Sequence, residues 1–245
     1  MRMMEIKKEK IQTPFQESLK KILSNKLCLV SLIVLVILIL FSIFGPMFTG
    51  YESDSIDLLN MLTGPSDTHL LGTDELGRDM FTRLAEGGRV SISVGLIATL
   101  FKLCIGVLLG CIAGLYGGIV ESVIMRIVDI IMCFPFFVIA LCIAAITGPS
   151  FHNTIFIIGI LGWPGVCRIV RSQVLSLKNV EYVDAARSLG LNQMEIIFRH
   201  ILPNASGPII VYTTLSVANA ILMEASLSFL GLGIAMPQSS WGTIL

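Results

Sequence analysis

Lys102 and Glu224 stand inside long apolar runs, LIATLFKLCIGVLLG around the lysine and SVANAILMEASLSFL around the glutamate. An ionisable side chain in hydrocarbon costs a few kcal/mol unless it snorkels to the surface, meets water or finds a partner. The chemistry such residues serve is the handling of a polar solute rather than the making of bonds. Glu224 is the best candidate partner for Lys102, and the two are expected to flank a polar cavity on a translocation route. Asp129 has Arg126 three residues before it, so a structural ion pair is the expectation there.

Bond-making chemistry finds no comparable support. His69, His152 and His200 are scattered over three separate segments, which gives no metal-ligand cluster and leaves surface polar roles as the default. Cys28, Cys104, Cys111, Cys133, Cys142 and Cys167 lie in or beside apolar runs without CxxC spacing and read as small buried hydrophobes. No G-x-x-x-x-G-K-[ST] stretch is present to cradle nucleotide phosphates, so any energy input comes from elsewhere. Gly231 and Gly233 lack a third glycine and follow an apolar helix rather than a strand, so a dinucleotide fingerprint fails. No Ser, His and Asp set and no paired carboxylates converge. The expectation is a non-enzyme with no catalytic residue, no metal and no cofactor bound by the chain itself.

The elements that position these residues are set by composition. Of 245 residues 54% are apolar, 22 are glycine and only 14% are charged, beyond the usual range of a soluble domain. The 17 basic and 17 acidic residues cancel, so nothing argues for nucleic acid, and lipid is the first partner. Residues 27–44 form an uncharged run that as a helix rises about 27 Å, near the hydrocarbon thickness. The run is longer than a signal-peptide core and SIFGPMF offers no A-x-A site, so it is expected to be retained. Further apolar segments at 90–116, 127–146, 154–166 and 208–229 make five spans in all.

Charge orients them. Arg2, Lys7, Lys8, Lys10, Lys20, Lys21 and Lys26 precede the first span and place the N-terminus in the cytoplasm. Alternation then puts 167–207 inside, where Arg168, Arg171, Lys178, Arg187 and Arg199 agree with it, and the acidic loop 46–89 outside. Five spans from an inside start leave Leu245 outside, just after the turn-like Met236 to Gly242, so a sixth helix is expected to be missing.

The inner segment reads as helix, glycine, helix. Residues 181–189 are helix formers, Gly190 suits a left-handed C′ position, and Asn192 with Glu195 resembles a capping box. Pro203 and Pro208 are expected to stop the second helix. Such an element is shaped to dock into a groove on a soluble partner, while an amphipathic hairpin on the headgroups is the alternative.

These residues carry a resemblance. Asp184-Ala185-Ala186, Gly190 and Leu202-Pro203, with Glu181 ahead of them, resemble the EAA loop of binding-protein-dependent ABC importer permeases. Asp184 stands for the family's glutamate and His200 for its isoleucine. The ending Arg199 to Asn204 is similar to the dipeptide, oligopeptide and nickel subclass, as are Leu70 to Asp79 with Arg83, Gly87, Arg89 and Ser91, and Met223 to Gly233 with Pro237 and Trp241-Gly242. Read physically, Thr73 or Asp74 can cap a turn and Asp79 can pair with Arg83, which makes that stretch a structured entry into the second span.

The resemblance implies an all-α polytopic membrane protein of the type I ABC importer permease fold, with five of six spans present. It implies the C-type member of a permease heterodimer, two ATP-binding subunits that hold ATP and Mg, and an extracytoplasmic solute-binding protein, in a bacterial or archaeal cell membrane. The expected organisation is a cytoplasmic segment 1–26, a first span 27–45, an outer loop 46–89 and a permease domain 90–245 with its coupling loop at 171–204. The expected cargo is di- or oligopeptides. Nickel or a metal chelate is the alternative on the same architecture, an ion-coupled secondary transporter is a second, and a non-transporting scaffold a third. Gly106, Gly110, Gly114 and Gly118 recur at i+4 in the second span, on one row with Lys102, and are expected to pack against another helix.

Overall fold

The computed structural model describes residues 24–245, all of whose regular structure is helical apart from one isolated bridge between Thr73 and Asp79. The basic residues Arg2 to Lys21 lie outside the described residues.

Helix α1 (Lys26–Phe44) begins where the Asn25 side chain accepts from the Leu27 and Cys28 N–H groups. Only Ser42 on it is buried, so it lies at the margin of the bundle. Its far end is fastened by Arg89, whose guanidinium donates to the Ser42 carbonyl at 2.9 Å and also to that of Ile43. Helix α2 (Met80–Tyr116) is the spine. Its 37 residues rise about 55 Å, well past the hydrocarbon. It starts ten residues before the charge-poor stretch because Asp79 caps it, accepting from the Thr82 N–H and hydroxyl at 2.8 and 2.7 Å.

Gly117, at φ 64°, ends α2 and reverses the chain into α3 (Gly118–Met132). Helix α4 (Phe136–Thr147) follows after Pro135 and is bent 80° from α3. The expected third span is therefore two half-length helices. Helix α5 (Phe151–Leu177) is twice the length of the expected fourth span, because its charges are neutralised from α3: Arg168 meets Asp129 at 2.5 Å, and Arg171 pairs with Glu121. Asp129 thus pairs across helices and not with Arg126.

The glycine row packs as expected over three of its four members. A Cβ on Gly110 or Gly114 would lie 2.7 Å from the Cβ of Val170 or Val174, and one on Gly106 would collide with Val166. Gly118 takes no part: it opens α3 at φ 53° with nothing within 4 Å. Of the cysteines, Cys111 and Cys167 are buried as expected, whereas Cys28, Cys104, Cys133 and Cys142 are exposed on the bundle surface.

Helices α6 (Glu181–Ser188) and α7 (Gln193–Ile196) follow, and a π-turn at Ile197–Ile201 runs straight into α8 (Leu202–Phe229). Neither proline stops the chain. Pro203 sits at the second residue of α8, where the π-turn joins it, and Pro208 is carried inside the helix, each removing one backbone N–H from the continuous helical run. A short α9 (Trp241–Ile244) returns to the start of α2, its indole N–H donating to the Leu84 carbonyl at 3.1 Å.

Candidate functional site

Three places on the molecule bring the expected residues into use. The first is the α6–α7 element. Gly190 has φ 83°, and the Asn192 and Glu195 side chains each accept from the other's backbone N–H, so the left-handed cap and the capping box form as read. Val183 and Ala186 point inward and join Ile196, Ile197 and Ile201 in one apolar core with Val166, Val170, Val174 and Cys111. The element is thereby a continuation of the α2–α5 interior. Glu181, Asp184, Ala185 and Gly190 are exposed, as are the large apolar side chains of Leu189 (81%), Met194 (52%) and Phe198 (61%). Asp184 pairs with Arg187 at 2.9 Å on the exposed side. Leu202 is half-buried and Pro203 exposed, where the π-turn enters α8. What the element offers is a rigid, partly apolar knob with a charged fringe.

The second place is a cavity of about 380 Å³ at the bend between α3 and α4, closed by α5 and α8. Its wall is mostly apolar, with Lys102, Tyr212, Ser216 and Asn219 as the polar lining. The Lys102 ammonium donates to the Ser216 carbonyl at 3.2 Å. Glu224 does not line this cavity, and the two expected partners do not pair. Both carboxylate oxygens of Glu224 are occupied, accepting from the Ser91 hydroxyl at 2.7 Å and the Ser228 hydroxyl at 2.6 Å. Those serines in turn accept from the N–H groups of Trp241 and Ile234. Glu224 therefore ties residues 230–241 to the ends of α2 and α8.

The third place is the loop before α2. Asp74 accepts from the Leu76 and Arg78 N–H groups and pairs with Arg78 at 2.7 Å, so it caps the turn as read. Arg83 lies 3.4 Å from Asp74 and donates to the Ser53 carbonyl at 3.2 Å, rather than pairing with Asp79. Asp79 instead holds His69 at 2.9 Å, with Tyr51 stacked on the ring at 4.8 Å. His69 is thus a buried strut of the loop and not a surface residue. Burial pushes the Asp74 carboxyl up, but the N–H groups of Arg78 and Leu76 and the Arg78 guanidinium outweigh it and leave it below its ordinary value.

Residues 106–245 match the family described as binding-protein-dependent transport system inner membrane component, and residues 13–65 match the N-terminal TM domain of oligopeptide transport permease C. This chain belongs to that inner-membrane transport family. It is 43% identical over 230 residues to the oligopeptide transport system permease protein OppC of Bacillus subtilis (strain 168), covering 94% of this chain and 75% of that one. It is 44% identical over 233 residues to the dipeptide transport system permease protein DppC of Alkalihalophilus pseudofirmus, covering 95% and 77%. Among solved structures, a chain of the MetNI methionine ABC transporter in an inward-facing conformation shares the fold, with a TM-score of 0.57 at 18% identity over 67% of this chain and 79% of that one.

The permease is therefore a multi-pass inner-membrane transport protein and not an enzyme. The α6–α7 helices and the Asp74 cap form at the residues read from the sequence, and the glycine seam forms over Gly106, Gly110 and Gly114 but not Gly118. Tyr212, Ser216 and Asn219 are cavity residues that the sequence reading missed, as are Gly162 and Gly165 behind them. The small pair at i,i+3 around Trp163-Pro164 was the available signal.

Proposed function

We propose that this chain is one half of the membrane pathway of an ATP-driven importer of di- and oligopeptides. In this reading α6–α7 docks on an ATP-binding subunit at the cytoplasmic face, ATP and Mg are held by a pair of such subunits, a second permease completes the pathway, and a solute-binding protein delivers cargo at the opposite face. The N-terminus is then cytoplasmic, in line with its basic residues. The names of the OppC and DppC relatives support peptides over nickel.

The single observation that carries the coupling role is the continuity of the α6–α7 core with the α2–α5 seam. A push on the exposed Leu189, Met194 and Phe198 cannot be absorbed locally, because Val183, Ala186, Ile197 and Ile201 transmit it to α5 and α8 as one packed body. Nucleotide-driven closure of the partner subunits would shift the permease pair between two arrangements in this way. Both Lys102 and Glu224 remain within this proposal, the first on the pathway wall and the second as the tie that holds its outer end.

The test is a mild-detergent purification of the tagged chain from its native membrane with mass spectrometry of what co-purifies, followed by peptide uptake in proteoliposomes. Recovery of a Walker-motif ATPase, a second permease and a solute-binding protein is expected. Gly190→Pro removes the N–H that donates to the Arg187 carbonyl and forbids the positive φ. It should leave insertion intact and separate ATP hydrolysis from uptake. Uptake driven by an ion gradient without ATP would refute the importer.

A further inference from the structure

Lys102 is 6% exposed and makes one hydrogen bond, to a backbone carbonyl. Among the described residues no carboxylate lies within ion-pair distance of it. An ammonium has three donors, so two remain uncommitted at the wall of the 380 Å³ cavity. Burying a charge in this way is expensive unless something of opposite sign meets it during the working cycle.

The wall around it is cut to hold it there. A Cβ on Gly162 would lie 2.8 Å from the Lys102 Cδ, and a Cβ on Gly165 would collide with the Tyr212 hydroxyl. The two glycines are three residues apart on α5, so they form adjacent notches on one helix face, one for the lysine stem and one for the phenol. Ser216 and Asn219 complete the polar side, and Ile131, Phe134 and Met223 supply apolar surface opposite. The volume lies at the lower end of the range for small-ligand pockets. A single ammonium with hydroxyl and amide donors matches a monovalent carboxylate, since a phosphate group draws an arginine fork or a helix N-terminus.

We propose that Lys102, with Tyr212 and Asn219, is a transient subsite for the C-terminal carboxylate of the passing peptide. The apolar wall accepts the last side chain without regard to its identity. This rests on the peptide reading above, and it assigns selectivity for a free carboxylate to the membrane chain in addition to any exerted by the receptor.

The experiment uses the assembled membrane complex in nanodiscs with the solute-binding protein omitted, so that receptor selectivity does not enter. Labelled trialanine and trialanine amide are titrated by equilibrium dialysis. The wild type is expected to bind the acid at least about tenfold more tightly than the amide. Lys102→Met should bring the two within about twofold by weakening the acid, and Lys102→Arg should keep the preference. Gly162→Ala, which keeps the charge but displaces the stem, and Tyr212→Phe should weaken the acid selectively and carry the test if Lys102→Met does not assemble.

A Lys102→Met complex that still prefers the acid overturns the subsite. Equal weakening of both ligands also overturns it and marks Lys102 as an ion-pair partner of a neighbouring subunit, and so does a wild type that binds neither peptide. Receptor-dependent uptake of trialanine by the wild type is measured in parallel. Its presence alongside a failed subsite leaves the importer reading standing, and its absence sinks both.

Discussion

Replacing Gly110 by alanine tests the seam on which the permease is built. The added Cβ would sit 2.7 Å from the Val170 Cβ and 2.8 Å from the Cys167 carbonyl oxygen. Carbon atoms in contact prefer about 3.5–4.0 Å, so α2 and α5 must part by roughly 1 Å. Because Gly106 and Gly114 face Val166 and Val174 one turn to either side, the parting opens the whole row and not one contact. A gap of that size forfeits a quarter to a half of the dispersion energy along it, and overpacking of this kind costs about 1–3 kcal/mol. Alanine's better helix propensity returns at most about 1 kcal/mol. Because the whole row opens, the upper end of that cost applies, and the net loss of about 2 kcal/mol lowers the apparent melting midpoint of a chain this long by about 4–8 °C. The assay is a fluorescence melt of the purified protein in mild detergent, with Gly207→Ala beside it. Gly207 also lies inside a helix but has nothing within 4 Å of its absent Cβ, so alanine there should leave the midpoint unchanged or slightly raised. Equal midpoints for the two variants would refute the seam.

Asp79→Ala removes the cap of α2 and the His69 contact together, and should cost about 1–2 kcal/mol in the same melt, with Asp79→Asn recovering most of it. Asp74 titrates below its ordinary 3.8, so its contribution is complete above that value and is lost as pH falls through the lower folded value. Amide exchange at Asp57, Leu62 and Thr73, corrected for intrinsic rate, should therefore stay slow at about pH 5 and accelerate below 3.8, and Asp74→Ala should abolish the pH dependence. Glu224→Ala leaves two serine hydroxyls without their acceptor and should cost about 2–5 kcal/mol, opening residues 230–241 to limited proteolysis, whereas Glu224→Gln should cost less.

Local chemistry was legible in the sequence and cross-helix chemistry was not. The Gly190 cap and the Asn192–Glu195 box depend on residues within one turn, so spacing alone found them. The glycine row was visible by its period, yet the valines that fill it were not, because β-branched residues on α5 are equally suited to facing lipid. Arg168 and Arg171 looked like the end of a span, since their acids stand 39 and 50 residues away on α3. His69 was placed on the surface for the same reason: only the folded loop brings it to Asp79. The bend at Pro135 was hidden inside one apolar stretch, as hydropathy carries no information on direction. Lys102 and Glu224 were singled out correctly as costly residues, but depth along two helices does not establish that their side chains face one another.

The two ends of the permease are held by different chemistry, and this decides where it can yield. At the end bearing the segment 45–79, α8 is tied by the Glu224, Ser91 and Ser228 network to α2 and to residues 230–241. At the other end it is tied through Ile201 and Ala205, with Ile201 inside the apolar core that also contains α6–α7. Between Ala205 and Ser216 no residue of α8 is buried, and Pro208 leaves the Asn204 carbonyl without its helical N–H. Ile209 and Tyr212 still pack against the apolar core, so it is the missing backbone hydrogen bond at Pro208 that makes this stretch the natural place for α8 to bend. Tyr212 lies within it and Ser216, which accepts from Lys102, closes it. If α6–α7 is the coupling element proposed above, a displacement entering there reaches the stretch of α8 that carries Tyr212 and Ser216 of the cavity wall before it meets the Glu224 network at the far end.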